Sequence, residues 1–222
     1  MGLVRPDDEQ RGRSIEVISL ELELKQQAKR YMELGFHREL GLTEQEYLES
    51  LPKFFTQPES YKGRFDTPLL VETRIPAARL ADLSSFEDPN YYAPGGWYLD
   101  LLDWEGDPKK FRIPNKPYTT WLNNSEMNLK ESVDMIRANL KEDERMATIF
   151  DGIALYTSQP GILETRNIIF GGSVFKSGFE SGSVPWLRNW YDRPGLDSLD
   201  ANEKLQPGYG NVTCGRKLGF KD

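Results

Sequence analysis

With 222 residues, 38% of them hydrophobic and 28% charged, the chain carries enough apolar side chain for one main core and too much for wholesale disorder. A formal net charge of −7 and a pI of about 5.0 argue against nucleic acid or an anionic membrane as partner, because clustered Lys and Arg drive both interactions. No apolar run reaches the roughly 20 residues that cross a bilayer, and one cysteine with one histidine leaves no intrachain disulfide and no Cys/His zinc site, so a cytoplasmic protein without metal or cofactor is expected.

Residues 1–13 are charged, poor in bulky apolar groups and unlike a signal peptide, which predicts a flexible arm. From Ser14 the apolar positions Val17, Leu20, Leu24, Ala28 and Tyr31 recur at helical spacing until Gly35, and the stripe outlasts the competing alternation of Ile18, Leu20, Leu22 and Leu24. Thr43 and Glu46 have the spacing of a capping box for a second helix ending before Pro52, with Tyr47, Leu48 and Leu51 turned inward. The two helices form an expected N-terminal helical pair over residues 14–55.

Prolines then punctuate short apolar runs. Leu69, Leu70 and Val71 predict one strand, Trp97, Leu99 and Leu101 alternate as a second, and residues 76–83 suit a brief helix between them. Asn128 and Glu131 are spaced as a helix start, and Leu129, Val133, Ile136 and Leu140 supply its stripe. A further helix is expected from Asp143, with Met146, Phe150, Ile153 and Ala154 inward, until Pro160 and Gly161 end it. Ile168, Ile169 and Phe170, residues 184–191 and residues 209–214 read as strands, with a Gly/Ser-rich loop over 171–183 and a turn at Pro194 and Gly195. The expected fold is thus α+β: a single domain over residues 14–222 with the helical pair, a mixed or antiparallel central sheet, and two further helices packed on it.

The reactive groups are few. Gly171, Gly172, Ser173 and Lys176 match neither a Walker loop nor a dinucleotide fingerprint, and no serine occupies a nucleophile elbow. A free imidazole titrates at about 6.5, which makes a histidine such as His37 a candidate general base, yet its place after a helix also suits an exposed surface histidine. Cys214 precedes Gly215 and Arg216, which would favour a reactive thiolate; the alternative is a small buried apolar group. Paired carboxylates such as Asp100 and Glu144 could serve acid–base work. Asp100, Asp103, Glu105 and Asp107 lack a calcium-loop spacing, and the basic residues Lys109, Lys110, Arg112 and Lys116 directly follow that acidic run, so both groups read as solvated charge.

The densest binding signal is residues 185–194. Trp186, Trp190 and Tyr191 are interleaved with Arg188 and Arg193, a mixture that can stack on a flat ligand and orient it, and Arg216 is a further candidate ligand contact. The same pattern describes a well-packed strand end. Three ordered stretches carry a family likeness. The first is 63–71, reading Gly-Arg-Phe-Asp-Thr-Pro-Leu-Leu-Val. The second is Asp143-Glu144-Arg145 with Gly152-Ile153-Ala154-Leu155 and Pro160, and the third is Arg193-Pro194-Gly195-Leu196 with residues 208–216. Together they resemble a family of uncharacterised bacterial proteins grouped as a domain of unknown function. The resemblance spans most of residues 30–216 and implies a bacterial, cytoplasmic, single-domain protein, with no activity and no catalytic residue attached. A non-catalytic binding or interaction module for a small polar ligand or a protein partner is the leading expectation. The alternatives are a hydrolase or transferase using Cys214 or paired carboxylates, and a structural or assembly subunit.

Overall fold

The computed structural model describes residues 6–86, 102–103, 111–123, 130–175, 183–190, 193–205 and 207–221. The first helix, α1, is Pro6–Glu33 and so takes in most of the segment expected as an arm; proline is well suited to a first helical turn. Its stripe forms as predicted. Leu20, Ala28 and Tyr31 are buried, whereas Ile18 and Leu22 are 65% and 56% exposed, which a strand with one buried face would not allow. Gly35 ends the helix at φ +86°, a left-handed backbone that glycine adopts without a Cβ penalty.

A short helix that the sequence did not announce, α2 (Phe36–Glu39), precedes α3 (Glu44–Ser50). The capping box of α3 is complete: the Glu46 N–H donates to Thr43 Oγ1 at 3.2 Å and the Thr43 N–H donates to Glu46 Oε2 at 2.8 Å. The backbone bond from Thr43, then its hydroxyl, lowers the Glu46 carboxyl below its ordinary pKa. Leu48 does not turn inward. It is 41% exposed, because one residue rotates it about 100° from the buried Tyr47. Thr43→Ala is expected to lower stability by about 1 kcal/mol, read as a lower urea midpoint at unchanged slope.

Instead of one central sheet there are two of four strands each. The first is antiparallel throughout, with order β1 (Thr67–Val71), β3 (Tyr118–Leu122), β10 (Thr213–Gly215) and β4 (Glu144–Met146). The second is mixed, with order β8 (Arg193–Leu199), β7 (Val184–Trp190), β5 (Asn167–Ile169) and β9 (Tyr209–Asn211), its β5–β9 pair being parallel. A small ladder joins β2 (Leu102–Asp103) to β6 (Val174–Phe175). Strand β3 escaped the sequence reading because all five of its residues are buried, which erases the alternation that marks a half-buried strand. Except for Leu102, the strand expected around Trp97 lies outside the described residues.

The helix between β1 and β2, α4 (Ala77–Leu83), forms where Pro76 predicted it. Two other helices shift. α5 is Val133–Asn139 and starts from Ser132, whose Oγ accepts from the Met135 N–H at 3.3 Å; Asn128 lies outside the described residues. The stretch after Asp143 is strand β4, and α6 (Ile149–Ser158) begins only at Thr148, which with Asp151 makes a second capping box. Phe150 is accordingly half-buried on α6, while Met146 is buried on β4. Pro194 does not end a strand: it lies in β8, an edge position where a missing N–H breaks no ladder.

Residues 209–214 do not form one strand either. Val212 carries the chain from the second sheet to the first, its N–H donating to Ile169 O and its carbonyl accepting from the Ala147 N–H. Nor are residues 171–173 an open loop, because the Gly172 N–H donates to Ala147 O and a Cβ there would stand 2.6 Å from that oxygen. A continuous cluster of buried side chains runs from Ala28 and Tyr31 on α1 through Leu69 and Leu70 to Ile168 and Leu187 on the second sheet.

Candidate functional site

Cys214 occupies the middle of β10, opposite Leu122 on one side and Arg145 on the other. It is 0% exposed, and burial pushes its thiol well up in pKa, an effect that nearby Arg145 only partly opposes. At neutral pH such a group stays a thiol and behaves as a small apolar side chain. Next to it lies a buried ion pair. Arg145 Nη1 and Nη2 donate to Asp151 Oδ2 and Oδ1 at 2.7 and 3.0 Å, Tyr118 OH donates to Oδ1 at 2.9 Å, and the Thr148 N–H donates to Oδ2 at 2.7 Å. The Arg145 guanidinium also lies 3.9 Å from the Phe111 ring centroid. Burial alone would raise the Asp151 carboxyl; the Arg145 charge and these donors hold it below the ordinary carboxylate range. With both charges sealed and the carboxylate oxygens fully engaged, this constellation fixes β4, β3 and α6 together and offers nothing to a substrate.

Glu144 and Arg216, candidates of separate kinds in the sequence, are neighbours at the end of the first sheet. The Arg216 Nε donates to Glu144 O at 3.0 Å, and its backbone N–H donates to Asp143 O at 2.9 Å. Arg64 clamps the adjacent acids, reaching Asp143 through two bonds of 3.1 and 3.2 Å and Glu144 at 3.5 Å. The Arg64 hydrogen bond keeps the Asp143 carboxyl below its usual pKa, opposite to the elevation a general acid needs.

The Trp186 region belongs to the second sheet. Trp186 is buried, its indole N–H donates to Ser198 O at 3.1 Å, and its ring lies 5.1 Å from that of Tyr209. The Arg188 guanidinium sits 5.1 Å from the Trp186 ring and 2.6 Å from the Asp197 carboxylate. The described part of this face is core packing closed by a salt bridge. The side chains of Trp190 and Arg193, and all of Tyr191, lie outside the described residues. The expected ligand set is thus divided, with Trp186 and Arg188 on one sheet and Arg216 bonded to the strand end of the other.

An open groove lies elsewhere, where α1, α2 and the start of α3 meet. It has a volume of about 520 Å³ and is lined by Lys29, Met32, Glu33, His37, Arg38 and Glu44. The left-handed turn at Gly35 lets the chain double back so that α2 faces the last turn of α1. The Arg38 guanidinium folds over this turn, and a Cβ on Gly35 would stand 3.4 Å from its Nη2. Glu33 is held by Lys29 at 3.9 Å and Arg30 at 3.5 Å. Among the described residues, neither Arg38 nor Glu44 has a side-chain partner, although their charges are opposite and they border the same groove.

His37 is not the exposed surface residue the sequence suggested. It is 8% exposed, and its Nδ1 is sealed without a hydrogen-bond partner. Sequence reasoning singled out His37 but not the groove, because Lys29, Arg38 and Glu44 look like ordinary solvated charges until the Gly35 turn gathers them. Among the described residues no cluster of three or more His, Cys, Asp or Glu suits a metal ion, and no helix is long and apolar enough to cross a membrane. In comparisons with family models, curated proteins and solved structures, nothing matches this chain.

Proposed function

We propose that the chain is a non-catalytic binding module whose ligand is small and polar and occupies the groove between α1, α2 and α3. The observation that carries this reading is a pair of opposite charges in one open concavity, Arg38 and Glu44, neither with a side-chain partner among the described residues, beside His37, whose Nδ1 is sealed behind the wall without a hydrogen bond. Buried polar atoms without partners are few in folded proteins and cost about 1–3 kcal/mol each, so they gather where structure serves something other than stability. The groups most suited to covalent or acid–base chemistry support the same reading from the other side. Cys214 is sealed, Asp151 is saturated with donors, and Asp143 and Glu144 are both engaged by Arg64.

The test is a thermal-shift screen of small polar metabolites, since a ligand at 100 times its Kd stabilises the native state by about 2.7 kcal/mol. Ligands that raise the melting temperature are expected to do so equally in Cys214→Ala and to lose the effect in Arg38→Ala. Hits that keep their full effect in Arg38→Ala would remove the groove from consideration, as would turnover of any of them that vanishes in Cys214→Ala.

A further inference from the structure

Resting on the groove reading, we infer that the ligand is a zwitterion of the free α-amino acid kind, its carboxylate held by Arg38 and His37 and its ammonium by Glu44. Three observations lead there. First, Arg38 and Glu44 border one groove without pairing to each other or to any other described side chain. Opposite charges left apart in this way complement a molecule carrying both signs, whereas an anion alone would meet Glu44 and a cation alone would meet Arg38. Lys29 lies 3.9 Å from Glu33, so the charges on the wall without a described partner are one of each sign.

Second, the His37 ring fixes which of its nitrogens can serve the ligand. Nδ1 is sealed and unpartnered, whereas Nε2 is not among the sealed atoms and bonds to no described residue, so on this groove-lining residue Nε2 is the ring nitrogen left for a ligand. A lone sealed N–H costs more than a lone sealed lone pair, which assigns the neutral ring's proton to Nε2 and makes it a donor. A donor beside a guanidinium suits a carboxylate oxygen. Third, half-buried Met32 supplies an adaptable apolar contact on the same wall, where the side chain of an amino acid can lie.

Calorimetric titration of the full chain with three probes of matched apolar shape separates the possibilities: L-leucine, L-leucinamide without the carboxylate, and 4-methylpentanoate without the ammonium. Leucine is expected to bind at least tenfold more tightly than either analogue. Arg38→Gln should weaken leucine tenfold or more without weakening leucinamide, and Glu44→Gln should weaken leucine without weakening 4-methylpentanoate. Both side chains are exposed and unpaired among the described residues, so neither change threatens the fold. Equal affinity for all three probes, or tighter binding of either analogue, would overturn the zwitterion assignment and leave the groove reading intact. So would silence from all three probes while the screen yields an Arg38-dependent ligand of another class. If no ligand of any class depends on Arg38, both conclusions fall together.

Discussion

Asp151→Ala is expected to destabilise the protein by about 3–5 kcal/mol, the usual penalty for removing one partner of a buried ion pair. The substitution strips Arg145 of the two bonds that satisfy its charge in a site where Arg145 is 2% exposed and its Nε already lacks a partner. It also frees the Tyr118 hydroxyl and the Thr148 N–H, so α6 loses the reciprocal half of its capping box while the bond from the residue 151 N–H to Thr148 Oγ1 remains. Most of the loss reflects the uncompensated guanidinium rather than the worth of the pair, which gives the prediction a second arm. Arg145→Met combined with Asp151→Leu removes both charges and should be less destabilised than Asp151→Ala alone, in urea unfolding monitored by tryptophan fluorescence. A loss below about 1 kcal/mol for Asp151→Ala would mean that the pair is wet.

The pH dependence follows from the direction of the shift. Burial pushes the Asp151 carboxyl up, but Arg145 and the Thr148 N–H outweigh it and hold the folded carboxyl below its unfolded value, near 3.9. The stabilisation is therefore complete above that value and disappears as pH falls through the lower folded one. The gap between wild type and Asp151→Ala should be flat from neutral pH down to about pH 5 and should close only below about pH 4. A gap that closed near neutrality would assign the effect to another group.

Asp151 also shows why the sequence was legible in some places and not in others. Local signals with one mechanism were readable: the Thr43 and Glu46 box, the Gly35 stop, the Leu69 to Val71 run and the stripe of α1 all form as their spacing demands. Thr148 and Asp151 carry the same box signature, but the apolar residues from Met146 onward fit a helical stripe as well, and only pairing with β10 makes residues 144–146 a strand. That choice is made by a partner strand nearly seventy residues away, so no local pattern can report it. The groove has the same character. Its residues come from three helices, and what distinguishes Arg38 and Glu44 is the lack of a side-chain partner among the described residues, a property that exists only once the chain has folded.

The second large effect concerns Gly152, on the inward face of α6, where a built Cβ would stand 2.3 Å from Cζ of the fully buried Phe170 ring. Alanine in a helix interior is intrinsically better than glycine by about 1 kcal/mol, so Gly152→Ala would stabilise α6 if there were room. There is none in the wild type, and the methyl must displace a packed aromatic ring, an overpacking that costs about 1–3 kcal/mol. Phe170→Ala, in turn, empties a site in the main core and should cost about 3–5 kcal/mol. In that background the added methyl meets a cavity instead of a ring, so Gly152→Ala should change sign and restore up to about 1 kcal/mol. Urea unfolding of the four proteins of this cycle measures the reversal directly. Additive losses would show that Phe170 and the α6 backbone are not in contact, and the packing of α6 on the second sheet through that ring would have to be abandoned.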